Sequence, residues 1–229
     1  VGPAAELRPQ LERVQPLDAA EESACRDPVW VRLEAAVFEE EELAREHGIS
    51  RGPLREAIRR LEGMHLVQRI PHAGARVVTL THKMMGDIYR VREALEGMSA
   101  RLAAGNMDPQ DIDALWKLLE QHEKNIEETD GKVYFQREGD VDFHFRIARA
   151  SGNDWLIHHL SSELYQLIRM CRYRSALAPS RPVRALAEHR HIVEAIAAGD
   201  GELAELLMRR HISGAWQIVQ DLLPRESNE

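Results

Sequence analysis

The sequence predicts a mainly α protein in two parts: an N-terminal winged helix-turn-helix and a C-terminal antiparallel all-helical bundle. Three observations carry this. Two short amphipathic segments, parted by Gly48, precede two β-rich runs around Pro71-His72-Ala73-Gly74. After Thr81 the apolar residues recur at helical spacing, cut by Asp, Pro, Gly and Ser punctuation. Aromatic content is 5%, with 10 Pro and 14 Gly in 229 residues, which favours helices over a sheet sandwich.

That length exceeds the usual single domain and fits two. The boundary falls at 81/82, giving domains 1–81 and 82–229. Residues 1–27 hold only a weak helix pattern over 8–23, broken at Asp27-Pro28. Glu40 to His47 reads as a short helix with Leu43 and Ala44 inward, ended by Gly48. Ser50 suits the N-cap of the next helix, with Pro53 in its first turn. Leu54, Ala57, Ile58 and Leu61 then recur at helical spacing, and Gly63 closes the segment. Leu66–Ile70 and Ala75–Leu80 read as a hairpin. Six helices follow, over 83–104, 108–129, 132–151, 154–177, 182–198 and 200–222. The short link between the parts predicts mechanical coupling rather than free tethering.

Composition excludes several classes. No apolar run approaches the ~18 residues of a spanning helix, so no membrane partner is expected. The first 24 residues carry five acids and no apolar core, so no secretory signal is read and a cytoplasmic protein is expected. Two cysteines, Cys25 and Cys171, exclude a disulfide scaffold and a cysteine-built zinc fold. The net charge of −8 argues against indiscriminate coating of nucleic acid. The charge is uneven, however. Residues 45–76 hold seven arginines (Arg45, Arg51, Arg55, Arg59, Arg60, Arg69, Arg76) against Glu46, Glu56 and Glu62. A basic segment on an acidic body predicts a local anion-binding face; the plain alternative is a solvated helix with paired charges.

The geometry of a winged helix assigns that face. Ser50, Arg51 and Arg55 fall at the exposed start of the second helix, the end that enters a major groove. An arginine there can bond guanine O6 and N7, worth ~1–3 kcal/mol of discrimination. Arg45 and Arg59 suit phosphates. His72 and Gly74 sit at the wing tip, where a missing Cβ lets backbone approach the duplex. The expected partner is double-stranded DNA, whose half-sites a two-fold dimer would read as a pseudo-palindrome.

In the helical part, Asp140 and His144 are i,i+4 neighbours, His189 lies on the fifth helix and His211 on the sixth. Three imidazoles and a carboxylate suit Zn²⁺, and are compatible with Ni²⁺, Mn²⁺ or Fe²⁺. Spacing alone leaves His122, His158, His159 and His191 as competitors.

The run Glu42-Leu43-Ala44 to Arg60-Leu61, with Leu66-Val67 and Gly74, resembles the GntR family of bacterial transcriptional regulators. Gly52 stands where a hydroxyl residue is common, and His65 where glycine is usual. The Pro-Gly turn is missing near Glu34-Ala35-Ala36, and acidic Glu39 to Glu42 follow. One subgroup has an arginine near Glu41, and that contact does not carry over. Residues 83–222 resemble the FCD effector-binding domain of the FadR-like subfamily, and six helices fit its VanR-type branch. The matching pieces are Val91-Arg92-Glu93-Ala94-Leu95-Glu96, Asp140-Val141-Asp142-Phe143-His144, Ser151-Gly152-Asn153, Glu188 to Ile196, and Met208-Arg209-Arg210-His211. The resemblance implies a metal held by Asp140, His144, His189 and His211, with Asp142 facing away. It also implies a small carboxylate effector gripped by Arg92, whose alternative is a salt bridge to Glu96. Asn153 either donates into that pocket or caps the next helix; Tyr134, Arg146, Tyr165, Arg169 and Tyr173 are further lining candidates.

Two rival readings compete. A metalloenzyme could activate water on such a site, but no general base stands in a recognisable motif and HExxH is absent. It would also leave the DNA-reading segment without a purpose. The other rival is a helical interaction protein with an inert winged helix, since such domains also mediate protein contacts; absence of any salt-dependent DNA affinity would favour it.

Overall fold

The computed structural model describes residues 37–71, 74–130, 142–176, 178 and 180–222. The weak helix over 8–23, His72, Tyr134 and Asp140 lie outside the described residues.

The first part is built from β1 (Val37–Phe38), α1 (Glu40–Glu46), α2 (Arg51–Gly63), β2 (Val67–Ile70) and β3 (Gly74–Val77). The strands form an antiparallel sheet in the order β1-β3-β2. Ala44, Leu54, Ile58 and Ala75 make its small core, with Leu43, Ile49 and Val67 packed against it. The sequence reading missed β1, which is too short to show alternation. Gly48 ends α1 at φ +63, as expected of a C′ glycine. The turn after α2 has the same geometry but no glycine. His65 donates to the Glu62 carbonyl and Leu66 to the Leu61 carbonyl, the paired bonds of a Schellman motif. That forces His65 to φ +57, in the left-handed region.

Gly74 corrects the wing expectation. It pairs with Ile70 inside the hairpin at φ +98, and a Cβ there would meet the Phe38 carbonyl oxygen. The missing side chain makes room for β1, not for a duplex.

The second part contains α3 (His82–Asn106), α4 (Pro109–Glu128), α5 (Phe143–Ala150), α6 (Asp154–His158), α7 (Tyr165–Ala176), α8 (Arg181–Ala197) and α9 (Gly201–Leu222). Thr81 caps α3 through the Met84 N–H, and Asp108 caps α4 through those of Gln110 and Asp111. The expected single helix over 154–177 is broken by a π-helical turn, His159–Glu163, closed by the Leu164 N–H on the His159 carbonyl at 3.0 Å. Only α5 is described of the helix expected over 132–151. α3 is the central helix and packs most extensively along α9. Met85, Tyr89, Leu115, Leu119, Phe143, Ile147, Ile192 and Met208 are among the fully buried side chains. Leu80 is part of this core, and Leu66 and Val78 of the winged part pack on it.

Replacing His65 by glycine removes the left-handed penalty and is expected to raise stability by about 1 kcal/mol. Denaturant unfolding followed by circular dichroism measures this; a loss of stability would show that the imidazole earns its strained position through contacts.

Candidate metal centre and nucleic-acid interface

Four helices converge on one buried cluster. α5 supplies His144, α8 supplies His189 and α9 supplies His211, each 6% exposed or less. One ring nitrogen from each lies within 4.8 Å of the others. Phe143 stacks on His189 with ring centroids 4.0 Å apart and fixes its plane. The Nε2 atoms of His189 and His211 are 3.2 Å apart.

Two carboxylates orient these rings. The Nδ1–H of His144 donates to Glu96 Oε2 at 2.6 Å, and that of His211 to Glu188 Oε2 at 2.7 Å. Each carboxylate is held in turn by a guanidinium: Arg92 Nε donates to Glu96 Oε1 at 2.7 Å, and Arg181 Nη1 to Glu188 Oε2 at 2.6 Å. With Nδ1 carrying the proton, Nε2 presents a lone pair. Burial favours the neutral imidazoles. It lowers His144 and His189, the latter well below the usual range, and takes His211 down to about 3. Burial also works against ionised Glu96, but Arg92 and His144 hold it well below an ordinary carboxyl. Glu188 ends at about 2, because its His211 and Arg181 bonds outweigh the same burial cost.

This donor set fits a metal. Two imidazole nitrogens on one tetrahedral zinc, at bonds of ~2.0–2.1 Å, sit roughly 3.3 Å apart, close to the observed 3.2 Å. Ordered carboxylate partners are what ligating histidines ordinarily have.

Asp142 differs from expectation. It does not sit on the helix facing away, because it precedes the first turn. It is fully buried and caps α5, accepting from the N–H groups of His144 and Phe145. Both its oxygens accept from Arg172 Nη1, at 2.8 and 2.7 Å.

A cavity with about 390 Å³ of empty space, part of it open to solvent, adjoins the histidines. Arg92, Arg172 and Arg181 line it together with His144, His189 and His211. Arg92 makes the Glu96 bridge that was its alternative role. Its Nη1 still has no hydrogen-bond partner among the described residues, nor does Arg172 Nε, and both atoms are buried. Asn153 takes its capping alternative: it is exposed, accepts from the Trp155 and Leu156 N–H groups, and does not line this cavity. Arg146 is tied to the Ala114 carbonyl, while Tyr165 meets Asp142 and Arg169 lies over its ring. Sequence reasoning gave Glu96 as a partner of Arg92 but missed its bond to His144, and it missed Glu188, Arg172 and Arg181. The available signals were slight: Glu96 is i+4 from Arg92, and Glu188 directly precedes His189.

On the winged part, Ser50 occupies the N-cap position of α2 without a side-chain cap bond. Arg51, Arg55 and Arg59 project from α2 and are exposed, as is Arg45 on α1. They do not project alone. Arg51 pairs with Glu41 at 2.8 Å, Arg55 with Glu40 at 2.8 Å, and Arg59 with Glu56 at 3.9 Å. Glu40 also approaches Arg69 of β2 at 3.7 Å, so it straps α1 to both α2 and β2. Among the described residues, no helix is long and apolar enough to cross a membrane.

Both parts of the chain match known proteins. Residues 87–214 match the FCD domain, and residues 34–77 match the bacterial regulatory proteins of the gntR family. The chain is 31% identical over 178 residues to a probable D-xylose utilization operon transcriptional repressor of Paenarthrobacter nicotinovorans, covering 78% of this chain and 76% of that protein. It is 30% identical over 193 residues to the gluconate operon transcriptional repressor of Bacillus licheniformis, covering 81% and 77%. The solved structure of E. coli McbR/YncC superposes with a TM-score of 0.63 over 82% of this chain and 89% of that one; at 22% identity this shows a shared fold.

The buried histidines predict a pH dependence of stability. His211 is lowered to about 3 when folded, against ~6.5 when unfolded, so the unfolded chain binds more protons between those values. Stability is therefore full above ~6.5 and is lost as pH falls below it. Melting in chelator at pH 7.5 and pH 5.5 checks this, with a shallower decline for His211→Asn. A flat profile would mean that the rings are not held neutral.

Proposed function

The chain belongs to the GntR family of bacterial transcriptional regulators and carries an FCD effector-binding domain; on that premise we propose that it binds a palindromic operator as a homodimer and senses a small organic acid at a divalent-metal site. The observation that carries this is the cluster of three buried histidines, two of them oriented by carboxylates, beside Arg92 and Arg172, each with one buried unpartnered N–H.

His144, His189 and His211 hold the metal through Nε2, with Asp140 the fourth ligand. An imidazole-rich set suits zinc, with nickel, manganese and iron as alternatives. The bound cation supplies a Lewis-acid position for an effector oxygen. Arg92 Nη1 and Arg172 Nε supply charged donors to the acid's carboxylate. Glu96 and Glu188 keep the histidine tautomers fixed as the site fills. The gluconate named for the Bacillus licheniformis relative is a hydroxy-carboxylate, a class that suits a metal next to guanidinium groups.

On the DNA side, Arg51 and Arg55 read base edges in the major groove while Arg45 and Arg59 meet phosphates. Ser50 supplies a hydroxyl at the start of α2, and His72 is a further candidate contact. The acid regulates by binding unequally to two arrangements of the winged parts.

Elemental analysis of purified protein should find about one divalent ion per chain. His189→Ala should lose it, and Glu188→Gln should weaken it about 10- to 100-fold. Full metal retention in His189→Ala would move the site to other histidines. In a thermal-shift screen of metal-loaded protein against mono-, di- and hydroxy-carboxylates, a stabilising hit should vanish with chelator and weaken in Arg172→Ala. No hit across the set would sink the acid assignment. Arg55→Ala should abolish operator binding yet keep the effector's thermal shift; unchanged operator affinity would mean that α2 is not the reading helix.

A further inference from the structure

The reading helix faces acids of its own chain, and the two that touch it differ in kind. Glu40 is only 18% exposed in its side chain and approaches both Arg55 and Arg69, so it is part of the scaffold. Glu41 is 70% exposed, and its carboxylate meets Arg51 at 2.8 Å, a residue itself 61% exposed. That ion pair bridges no elements beyond the helix-turn-helix and buries neither partner. Its placement matters because Arg51 is the first residue of α2, at the end that faces a groove.

We propose that Glu41 is an internal competitor that keeps Arg51 off DNA phosphates, so that Arg51 engages only where a guanine edge outbids the carboxylate. The inference rests on the DNA-reading role of α2. The magnitudes support it. An exposed ion pair shifts an equilibrium by only about 1.4- to fivefold. A lone phosphate contact offers a similar electrostatic gain, so exchanging one for the other yields little. A bidentate guanine contact brings about five- to 150-fold and wins the exchange. On random DNA, Arg51 therefore stays with Glu41 and adds nothing to affinity. On a site with guanine in register it switches partners. Glu41 thus trims non-specific binding without touching a base.

The test uses the full chain and a random-sequence duplex, with the equilibrium constant followed from about 50 to 200 mM salt. Glu41→Gln frees Arg51 for a phosphate. Its log–log salt slope should steepen by about 0.9 per engaged winged helix. At the low-salt end, affinity should rise about two- to fivefold. The decisive comparison is Arg51→Ala with and without Glu41→Gln: in that background the substitution should change neither slope nor affinity. Glu42→Gln removes the same charge from the same turn without touching the Arg51 pair, and should leave the slope at its original value. The slope is insensitive to the fraction of folded protein, so a partly unfolded variant does not obscure the answer. If Glu41→Gln leaves the slope unchanged, or steepens it equally without Arg51, the competitor role is overturned. In the second case Glu41 acts by through-space repulsion. If the unsubstituted chain shows no salt-dependent affinity for any duplex, the DNA-reading assignment of α2 itself fails, and this inference with it.

Discussion

The cost of burying charge governs the helical part. Arg92 and Glu96 are each 2% exposed, and an ion in such a place loses several kcal/mol of hydration unless it is paired with good geometry. The pairing is continuous: Arg92 to Glu96, and Glu96 to His144. A second chain runs from Arg181 to Glu188 to His211. Each chain ends on an imidazole, which completes the carboxylate's hydrogen bonds without adding a charge. Removing any member would strand an ion, so the members hold one another in place. His144 and His211 are oriented by these chains, and His189 by its stack on Phe143, with the Nε2 atoms of His189 and His211 turned toward each other. The unpartnered N–H groups of Arg92 and Arg172 are what remains after this pairing, and a buried unsatisfied donor is costly enough to favour an anion that completes it.

The winged part meets the same chemistry in water and reaches the opposite result. Its pairs between Arg51 and Glu41 and between Arg59 and Glu56 are exposed, so screening makes them weak and exchangeable. A buried pair fixes geometry because breaking it costs much. An exposed pair can be traded for a phosphate or a base edge at little cost. Rigid charge therefore surrounds the histidine cavity, and labile charge lies on the exposed face of α2. Glu40, partly shielded between α1, α2 and β2, stands between these regimes.

Legibility in the sequence followed how local each determinant is. The helices of the winged part and most of the bundle are set by apolar spacing and by caps such as Thr81 and Asp108, which act within four residues. The π-helical turn at His159–Glu163 has no such signature, since one extra residue per turn barely disturbs the apolar pattern. β1 is two residues long and exists only because Gly74 leaves room for Phe38. At the site, His144, His189 and His211 were singled out by family resemblance, not by spacing. Glu96, Glu188, Arg172 and Arg181 act across helices, and no spacing rule joins residues on α3, α5, α7, α8 and α9. Asp142 was misjudged because an i+2 argument holds on a helix, and the helix starts one residue later.

One rigid element, α3, joins the histidine site to the winged part. It begins at Thr81, directly after Leu80, and carries Arg92 and Glu96 three to four turns later. Between them, Tyr89 packs on Trp216 of α9 with ring centroids 5.4 Å apart, and Trp216 also lies 5.0 Å from His82 at the start of α3. Tyr89 donates to the Cys171 carbonyl on α7, next to Arg172, and its ring lies 5.0 Å from the Arg92 guanidinium. Tyr89 is fully buried, with its hydroxyl pushed up to about 12 by burial, so it stays a neutral donor. A close-packed interior does not absorb a displacement by local compression. A shift of the Arg92 or Arg172 side chain must then be taken up by Tyr89 and by Trp216, which also meets His82 at the start of α3. The packing of Leu66 and Val78 on the same core closes the path from the other side.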